Sequence, residues 1–545
     1  MTKVRVFRAR RIVTMNPSQP LATHVAVRDG RIVAVGDKSE VDAFGPVVYD
    51  DSFASDVILP GFVEGHCHLH AGASWRDIYL GFYDRRDPDG RVVSGFKSIS
   101  AVANRLREAC EADGHSPAPL TGWSFDPIYI KGPRMTVADL DPVSAVRPIV
   151  ITHASGHIMN VNSVALRMAG LSRDADVDGL VRDTSGNLTG ELQGHELLGL
   201  IRRKVLPNAL SRKLDADAMQ TFGKIARRVG VTTATDLVSD LSEEIIAVYD
   251  AATSSPDYPV RIAAALSTRF HSLEQGIERF KAIRQRGTES LFFGTVKMHV
   301  DGSIQGFTAR VRWPGYHNGA PNGLWYIAPT ELGRIIEGYH RAGATLHMHT
   351  NGDEATEAAV EMLERAITSH PRPDHRHTLQ HCQMPDLALY QRIKQLGLCC
   401  NIFANHIYYW GEAHVAETMG PSRAKRMDAC GTALRLGIPF AIHSDAPITP
   451  LDPLFTAWCA VMRQTSAGRT LGEGERIPVA NALHAITLGP AYTLKLDHLI
   501  GSIEVGKFAD FAVLKQDPLE EAPAALKDIG VVATVRGGKV FPATI

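Results

Sequence analysis

Val57-Ile58-Leu59-Pro60-Gly61-Phe62-Val63-Glu64-Gly65-His66-Cys67-His68 is an apolar run broken by Pro-Gly that ends on two histidines with one residue between them. An apolar run of this length reads as a strand buried on both faces, the kind found in parallel sheets. Alternate residues of a strand share a face, so His66 and His68 can hold one cation together, and imidazole suits zinc. Read alone, the pair is equally a hydrogen-bonded couple in a core, because short motifs recur by chance.

Working outward, similar short runs follow along the chain. With the first strand around 58–67, candidates are VTTATDL (231–237), VRIAAAL (260–266), FGTVKMHV (293–300), ATLHMHT (344–350), HTLQHC (377–382), LCCNIFA (398–404) and PFAIHSD (439–445). Eight is the number a closed (β/α)8 barrel needs. LEQGIERFKAIRQR, ELGRIIEGYHRAG and ATEAAVEMLERAITSH carry apolar residues at helical spacing and fill the gaps. The fold class expected is therefore α/β, a TIM-like barrel over 59–490. The long interval between the first two strands makes 73–225 an insertion that can cap the barrel mouth. Both termini are β-rich, with turn signals at Asp29-Gly30 and Gly537-Gly538. Residues 1–58 and 491–545 are expected to form one small composite β-sandwich.

Bulk properties narrow the function classes. A net charge of −1 gives no electrostatic footprint for nucleic acid or an anionic membrane. No apolar run is long enough to span a bilayer, and the basic N-terminus lacks the apolar core of a secretory signal. A cytoplasmic enzyme acting on a small molecule is expected, with a homodimer as the candidate assembly. The seven cysteines are odd in number and lack CxxC pairs, which reads as reduced thiols.

The chemistry sits at the strand ends. His349 closes ATLHMH, His381 closes HTLQH and Asp445 closes FAIHSD. In a barrel these ends converge on the face where active sites form. Four histidines and an aspartate on one rim point to a metal site. Lys297 lies inside FGTVKMHV, where an ammonium is expensive. A salt-bridged lysine, a Schiff-base lysine and a carbamylated lysine bridging two cations are all open readings, and the surrounding ligand set makes the last attractive. His299 and His347 share strand faces with Lys297 and His349 and are expected either to enter the site or, the favoured reading, to fill the barrel. His153 and His157 are expected either to line the substrate entrance or to serve a structural hydrogen bond. Aromatic residues cluster at Trp75, Tyr79, Phe82 and Tyr83, at Trp123 and Phe125, and at Tyr408, Tyr409 and Trp410. They form either an apolar substrate pocket or the core of the insertion.

With these residues in view, the chain resembles the amidohydrolase superfamily. PGFVEGHCHLH is similar to its PGF-[ID]-x-H-x-H entry. The match is more specific to the amidohydrolase family 3 branch, which contains N-substituted formamide deformylase and exoenzyme-regulator-like proteins. The likeness runs in order through Gly122-Trp123-Ser124-Phe125-Asp126, Ser155-Gly156-His157, Asn162 to Leu166, Val296-Lys297, Asp301-Gly302-Ser303, His349 with Gly352-Asp353, Arg376-His377, Gln380-His381, Ser444 to Pro447 and Gly501 to Asp510.

The resemblance implies that His66, His68 and Asp445 hold one metal, that His349 and His381 hold a second, and that Lys297 bridges them as carboxylysine. The cofactor implied is one or two Zn2+, or another divalent metal. It implies a hydrolase of amide-type C–N bonds (a formamide, an N-acyl amine or acid, or a cyclic amide), with Asp445 as the proton carrier. His406 matches a position near the site and is expected either to steady the tetrahedral oxyanion or to be a surface-loop histidine. A deaminase or lactonase on the same scaffold is the enzymatic rival, and a non-catalytic regulator the non-enzymatic one. Two positions depart from the pattern: Gln380 stands where Glu is usual, and His443 where Gly is usual.

Overall fold

Short apolar runs with no single-face alternation need cover on both sides, and a parallel sheet wrapped by helices supplies it. A computed structural model of the chain describes residues 3–44, 46–114, 116–207 and 213–543. Its central sheet has eight strands: β1 (Phe62–Glu64), β2 (Val231–Ser239), β3 (Arg261–Ser267), β4 (Leu291–His299), β5 (Thr345–Thr350), β6 (Thr378–His381), β7 (Cys399–Ile402) and β8 (Phe440–Ile442). They pair in chain order, all parallel. Just past β1 and β8, Asp445 N–H donates to the His66 carbonyl (3.1 Å) and His68 N–H to that of Ala446 (2.8 Å). The two edges of the curled sheet thus meet at the C-terminal rim, giving a TIM-like barrel in which every expected strand has a counterpart.

Helices separate the strands. Glu243–Thr253 and Leu273–Ile283 start on Ser242 and Ser272, whose side chains accept from the first-turn amides of Ile245 and Gln275. Such caps satisfy donors that a helix start otherwise leaves open. Pro329–Arg341 and Asp353–Ser369 follow β4 and β5 and bury one apolar face each in the barrel core.

The first barrel strand is much shorter than its apolar run suggests. Val47–Pro60 belongs to another sheet, and the chain crosses into the barrel at Gly61. A Cβ at Gly61 would lie 2.1 Å from Thr232 Oγ1, so only glycine lets the chain turn this close to β2.

The termini do share a sheet, one of seven hydrogen-bonded strands whose two ends contribute side chains to a single apolar cluster. Its order is Lys539–Pro542, Val531–Arg536, Phe511–Leu514, Val47–Pro60, Val4–Val13, Leu21–Arg28 and Arg31–Gly36. Asp29 (φ 52°) with Gly30 (φ 77°) and Gly537 (φ 55°) with Gly538 (φ 76°) make the two tight hairpin turns. Two successive positive φ values match the twist of the flanking strands. Asp510 ties this sheet to the barrel: its carboxylate receives Arg261 Nε (2.6 Å), Arg261 Nη2 (3.1 Å) and the Gly537 amide (2.7 Å).

Between β1 and β2 lies a six-stranded sheet with two apolar clusters of its own. The helix Ala216–Arg228 packs Met219, Phe222 and Ala226 into the barrel core instead. No helix among the described residues is long and apolar enough to cross a membrane.

Removing one partner of a buried ion pair leaves an uncompensated charge and costs about 3–5 kcal/mol. Asp510→Ala is expected to destabilise the protein by that amount in denaturant unfolding. The double change with Arg261→Leu should recover much of it. An unchanged midpoint for Asp510→Ala would refute the link.

Candidate metal centre

β1 ends at Glu64, and the next turns carry His66 and His68 inward while Cys67 faces the other way. The Cys67 amide and thiol donate to Thr235 Oγ1 and Thr235 O (both 3.0 Å), so Cys67 is a buried packing residue. Asp445 follows β8 with φ 52°, and His381 ends β6 with φ 73°. Both sit in the left-handed region that side chains rarely adopt, a strain found where the surroundings over-determine a residue.

All six residues expected from the sequence as ligands converge and are buried. Asp445 Oδ1 lies 3.2 Å from His68 Nε2 and 3.5 Å from His66 Nε2. Lys297 Nζ lies 3.2 Å from His66 Nε2, and His381 Nε2 lies 3.0 Å from His349 Nδ1. His443, seen in the sequence only as a departure from pattern, joins them. Its Nε2 is 3.2 Å from His381 Nδ1, and its ring stacks on His66 at 4.6 Å. Two sets, His66–His68–Asp445 and His66–His381–His443, have ligand atoms close enough to share an ion.

Burial governs the charges. It pushes the His66, His349, His381 and His443 imidazoles well below their usual range, with Lys297 and neighbouring histidines adding to the effect. It also pushes the Lys297 ammonium down to about 7, against an upward pull from Asp445. Neutral imidazoles then aim lone pairs at each other and at a carboxylate oxygen. Asp445 Oδ1 is buried with no hydrogen-bond donor among the described residues. Acceptors crowded around one point are satisfied by a cation, so this donor set fits a divalent metal.

Which nitrogen His66 offers follows from its neighbours. His347 Nε2 lies 3.3 Å from the Thr493 carbonyl, which only accepts, so that nitrogen carries the proton. His347 Nδ1 is then bare and accepts from the Gln380 amide nitrogen at 2.7 Å. The Gln380 oxygen therefore faces His66 and accepts from its Nδ1–H, also at 2.7 Å. His66 Nε2 is left bare and turned toward Lys297 and Asp445. His347 thus fills the barrel, as expected, but with a directed role.

Two buried carboxylates hold the loops. Glu64 accepts from the Ser444 amide (3.0 Å) and hydroxyl (2.9 Å), fixing the residue before Asp445. Burial raises its pKa to about 8 against those bonds. Asp301, of the DGS segment, accepts from the amides of Asn351 (3.0 Å), Gly352 (2.9 Å) and Arg310 (3.1 Å) and thereby fixes the turn after His349. At Gly352 a Cβ would lie 1.7 Å from the Arg310 carbonyl, so this turn accepts only glycine.

His406 is not on a surface loop: it is buried, its Nδ1 is 3.2 Å from an Asp428 oxygen, and its ring is 6.4 Å from that of His381. It does not line the open cavity above the cluster. That cavity holds about 450 Å3 and is bounded by His68, His349 and Asp445 on the barrel side. His157 lines it from above and His299 from the end of β4, so His299 is one of the cavity's wall residues. His153 also reaches the wall, with its Nε2 bonded to Asn160 Oδ1 (2.6 Å). The aromatic clusters mostly pack on each other, as in Tyr83 with Tyr409 (5.0 Å) and Trp75 with Trp123 (5.3 Å). Of those named from the sequence only Trp123 lines the large cavity, which is otherwise rich in polar groups.

Residues 56–542 match the amidohydrolase family. Among curated proteins, YtcJ of Bacillus subtilis (strain 168) is 29% identical over 97% of both chains. The N-substituted formamide deformylase of Arthrobacter pascens is 24% identical over 96% of both. Among solved structures, an uncharacterised metal-dependent hydrolase from Pyrococcus horikoshii OT3 superposes with a TM-score of 0.71 at 20% identity, covering 96% of this chain and 99% of its own.

Groups that orient a metal-binding histidine typically contribute 10- to 100-fold in metal affinity. Gln380→Leu cuts the chain of bonds from Thr493 to His66, and is expected to weaken divalent metal binding by about that factor in a chelator-competition titration. Affinity equal to wild type would show that His66 does not depend on it.

Proposed function

Because the chain belongs to the amidohydrolase family, hydrolases of carbon–nitrogen bonds, we propose that it cleaves an amide-type C–N bond of a small molecule at a cation held by His66, His68 and Asp445, with His349, His381 and Lys297 beside them. The observation that carries this reading is the convergence of those six buried groups from five strands and rim turns onto one point. A non-catalytic relative would have no reason to keep the full set aimed inward at such electrostatic cost.

Zinc is the metal best suited to a set dominated by neutral imidazole. When bound, such an ion polarises a carbonyl oxygen and lowers the pKa of water to about 7. The protein's own groups do the rest. Asp445, with one oxygen free of donors, takes the proton from the attacking water and passes it to the leaving nitrogen. Ser444 and Glu64 hold that carboxylate in place through the backbone.

Lys297 suits carboxylation. Burial favours its neutral amine, whose lone pair adds to CO2 with loss of one proton. The resulting carbamate would be an anionic oxygen donor, which suits a place beside a cation held by His66 Nε2, 3.2 Å from Lys297 Nζ, better than an ammonium does.

General acid–base groups contribute about 10^2–10^4-fold to rate. Asp445→Asn is expected to retain part of its metal and to lose kcat by a factor in that range on whichever amide a substrate screen identifies. A wild-type kcat would remove Asp445 from the proton path. Dialysis against a chelator should abolish turnover and Zn2+ should restore it; activity indifferent to both would sink the metal-hydrolase reading.

A further inference from the structure

One cation in the cavity is left without an anion. Arg269 stands two residues beyond β3, on the same rim as the metal cluster, and its side chain lines the cavity. Among the described residues its guanidinium makes no ion pair and no hydrogen bond; its aromatic contact is with its own neighbour Phe270, at 6.0 Å. Apart from Asp445 of the metal cluster, the acidic residues of the wall are engaged elsewhere. Asp236 receives the Tyr249 hydroxyl (2.7 Å), Asp240 the Ser242 amide (3.0 Å) and Asp77 the Thr121 hydroxyl. Burial pushes Arg269 down to about 10, the cost of holding a cation there uncompensated.

Around it are polar atoms that nothing satisfies. His157 and His299 are buried, line the cavity, and each leaves Nδ1 without a partner among the described residues; both ring nitrogens of His195 are likewise unpartnered there. The rings form a closed circuit: His349 to His299 (5.2 Å), His299 to His195 (5.6 Å), His195 to His157 (5.3 Å) and back to His349 (5.3 Å). An imidazole ring carries at least one N–H in either protonation state, so each of the three has a donor to offer. Arg202 places a second guanidinium on the same wall.

Resting on the hydrolase reading above, we propose that Arg269, with His157, His195 and His299, forms a carboxylate-binding subsite beside the metal centre, so that the preferred substrates are amides bearing a free carboxylate, such as N-acyl amino acids. A carboxylate supplies what this wall lacks, a negative charge with four acceptor positions. Its planar fork matches a guanidinium in two parallel bonds. The buried, unpaired donors also explain discrimination. A neutral analogue would leave them unsatisfied, and sites of that kind reject such analogues strongly.

The test compares N-acetyl amino acids with their neutral carboxamides on the zinc-loaded protein, wild type and Arg269→Met. Wild type is expected to favour the acid by about 10- to 100-fold in kcat/KM, as a charge-assisted contact supplies. Arg269→Met should raise KM for the acid by a similar factor, leave the carboxamide unchanged and move kcat little, with Arg269→Lys recovering part of the loss. Equal effects on acid and carboxamide, or no preference in wild type, would overturn the subsite while leaving the hydrolase reading intact. A calorimetric titration of the metal-free protein with N-acetylglycine separates the two ideas if nothing is hydrolysed. Binding lost in Arg269→Met upholds the subsite and counts against the hydrolase; no binding, or binding indifferent to Arg269, overturns the subsite.

Discussion

A peptide carbonyl accepts hydrogen bonds and never donates them, and the Thr493 oxygen puts that fact to use three residues away. Facing His347 Nε2, it fixes the proton there. His347 then fixes the orientation of Gln380, and Gln380 fixes the tautomer of His66. The bare nitrogen of His66 is the hub of the cluster, within 3.5 Å of both Lys297 Nζ and Asp445 Oδ1. If any link ran the other way, His66 would point an N–H at an ammonium and could not hold a cation. The glutamine at this position is therefore suited to its task, because it carries both the donor and the acceptor that the two histidines need. A carboxylate could accept from His66 but would offer His347 Nδ1 no donor.

The same economy recurs where the loops are held. Glu64, Asp301 and Asp510 are buried carboxylates that each collect backbone amides or a guanidinium from a distant segment. A barrel places strand ends on one rim, but it does not fix the turns that carry the ligands past those ends. Glu64 and Asp301 do so, at Ser444 and at Asn351–Gly352, while Asp510 holds the joint with the terminal sheet at the start of β3. Above the rim, the region between β1 and β2 brings in His157 and His195, and the wall it makes with Arg269 and His299 is polar where the aromatic content of the sequence suggested an apolar pocket.

The eight barrel strands were legible because each is a short apolar run between helices of clear periodicity, five of the converging residues because they close those runs, and Lys297 because an ammonium stands out inside one. The terminal sheet was legible as strands but not in its strand order, since pairing across the whole chain length leaves no local mark. His443 and Gln380 could be read only as departures from a pattern. Their roles depend on partners brought together by the barrel: His66 and Gln380 are 314 residues apart, and Glu64 and Ser444 380 apart. Arg269 had a signal that went unread, its place just past the end of a candidate strand on the rim where ligands gather. The surface-loop reading of His406 failed because a histidine before two tyrosines and a tryptophan looks the same whether its helix start is exposed or buried against Asp428.

Crystallographic anomalous scattering from protein grown with Zn2+ bears most directly on the central claim. The account predicts a zinc peak within about 2.0–2.2 Å of His66 Nε2, His68 Nε2 and an Asp445 oxygen, with His66 Nδ1 still bonded to Gln380. A stoichiometric zinc bound elsewhere, or none at this rim with the six side chains in place, would contradict it.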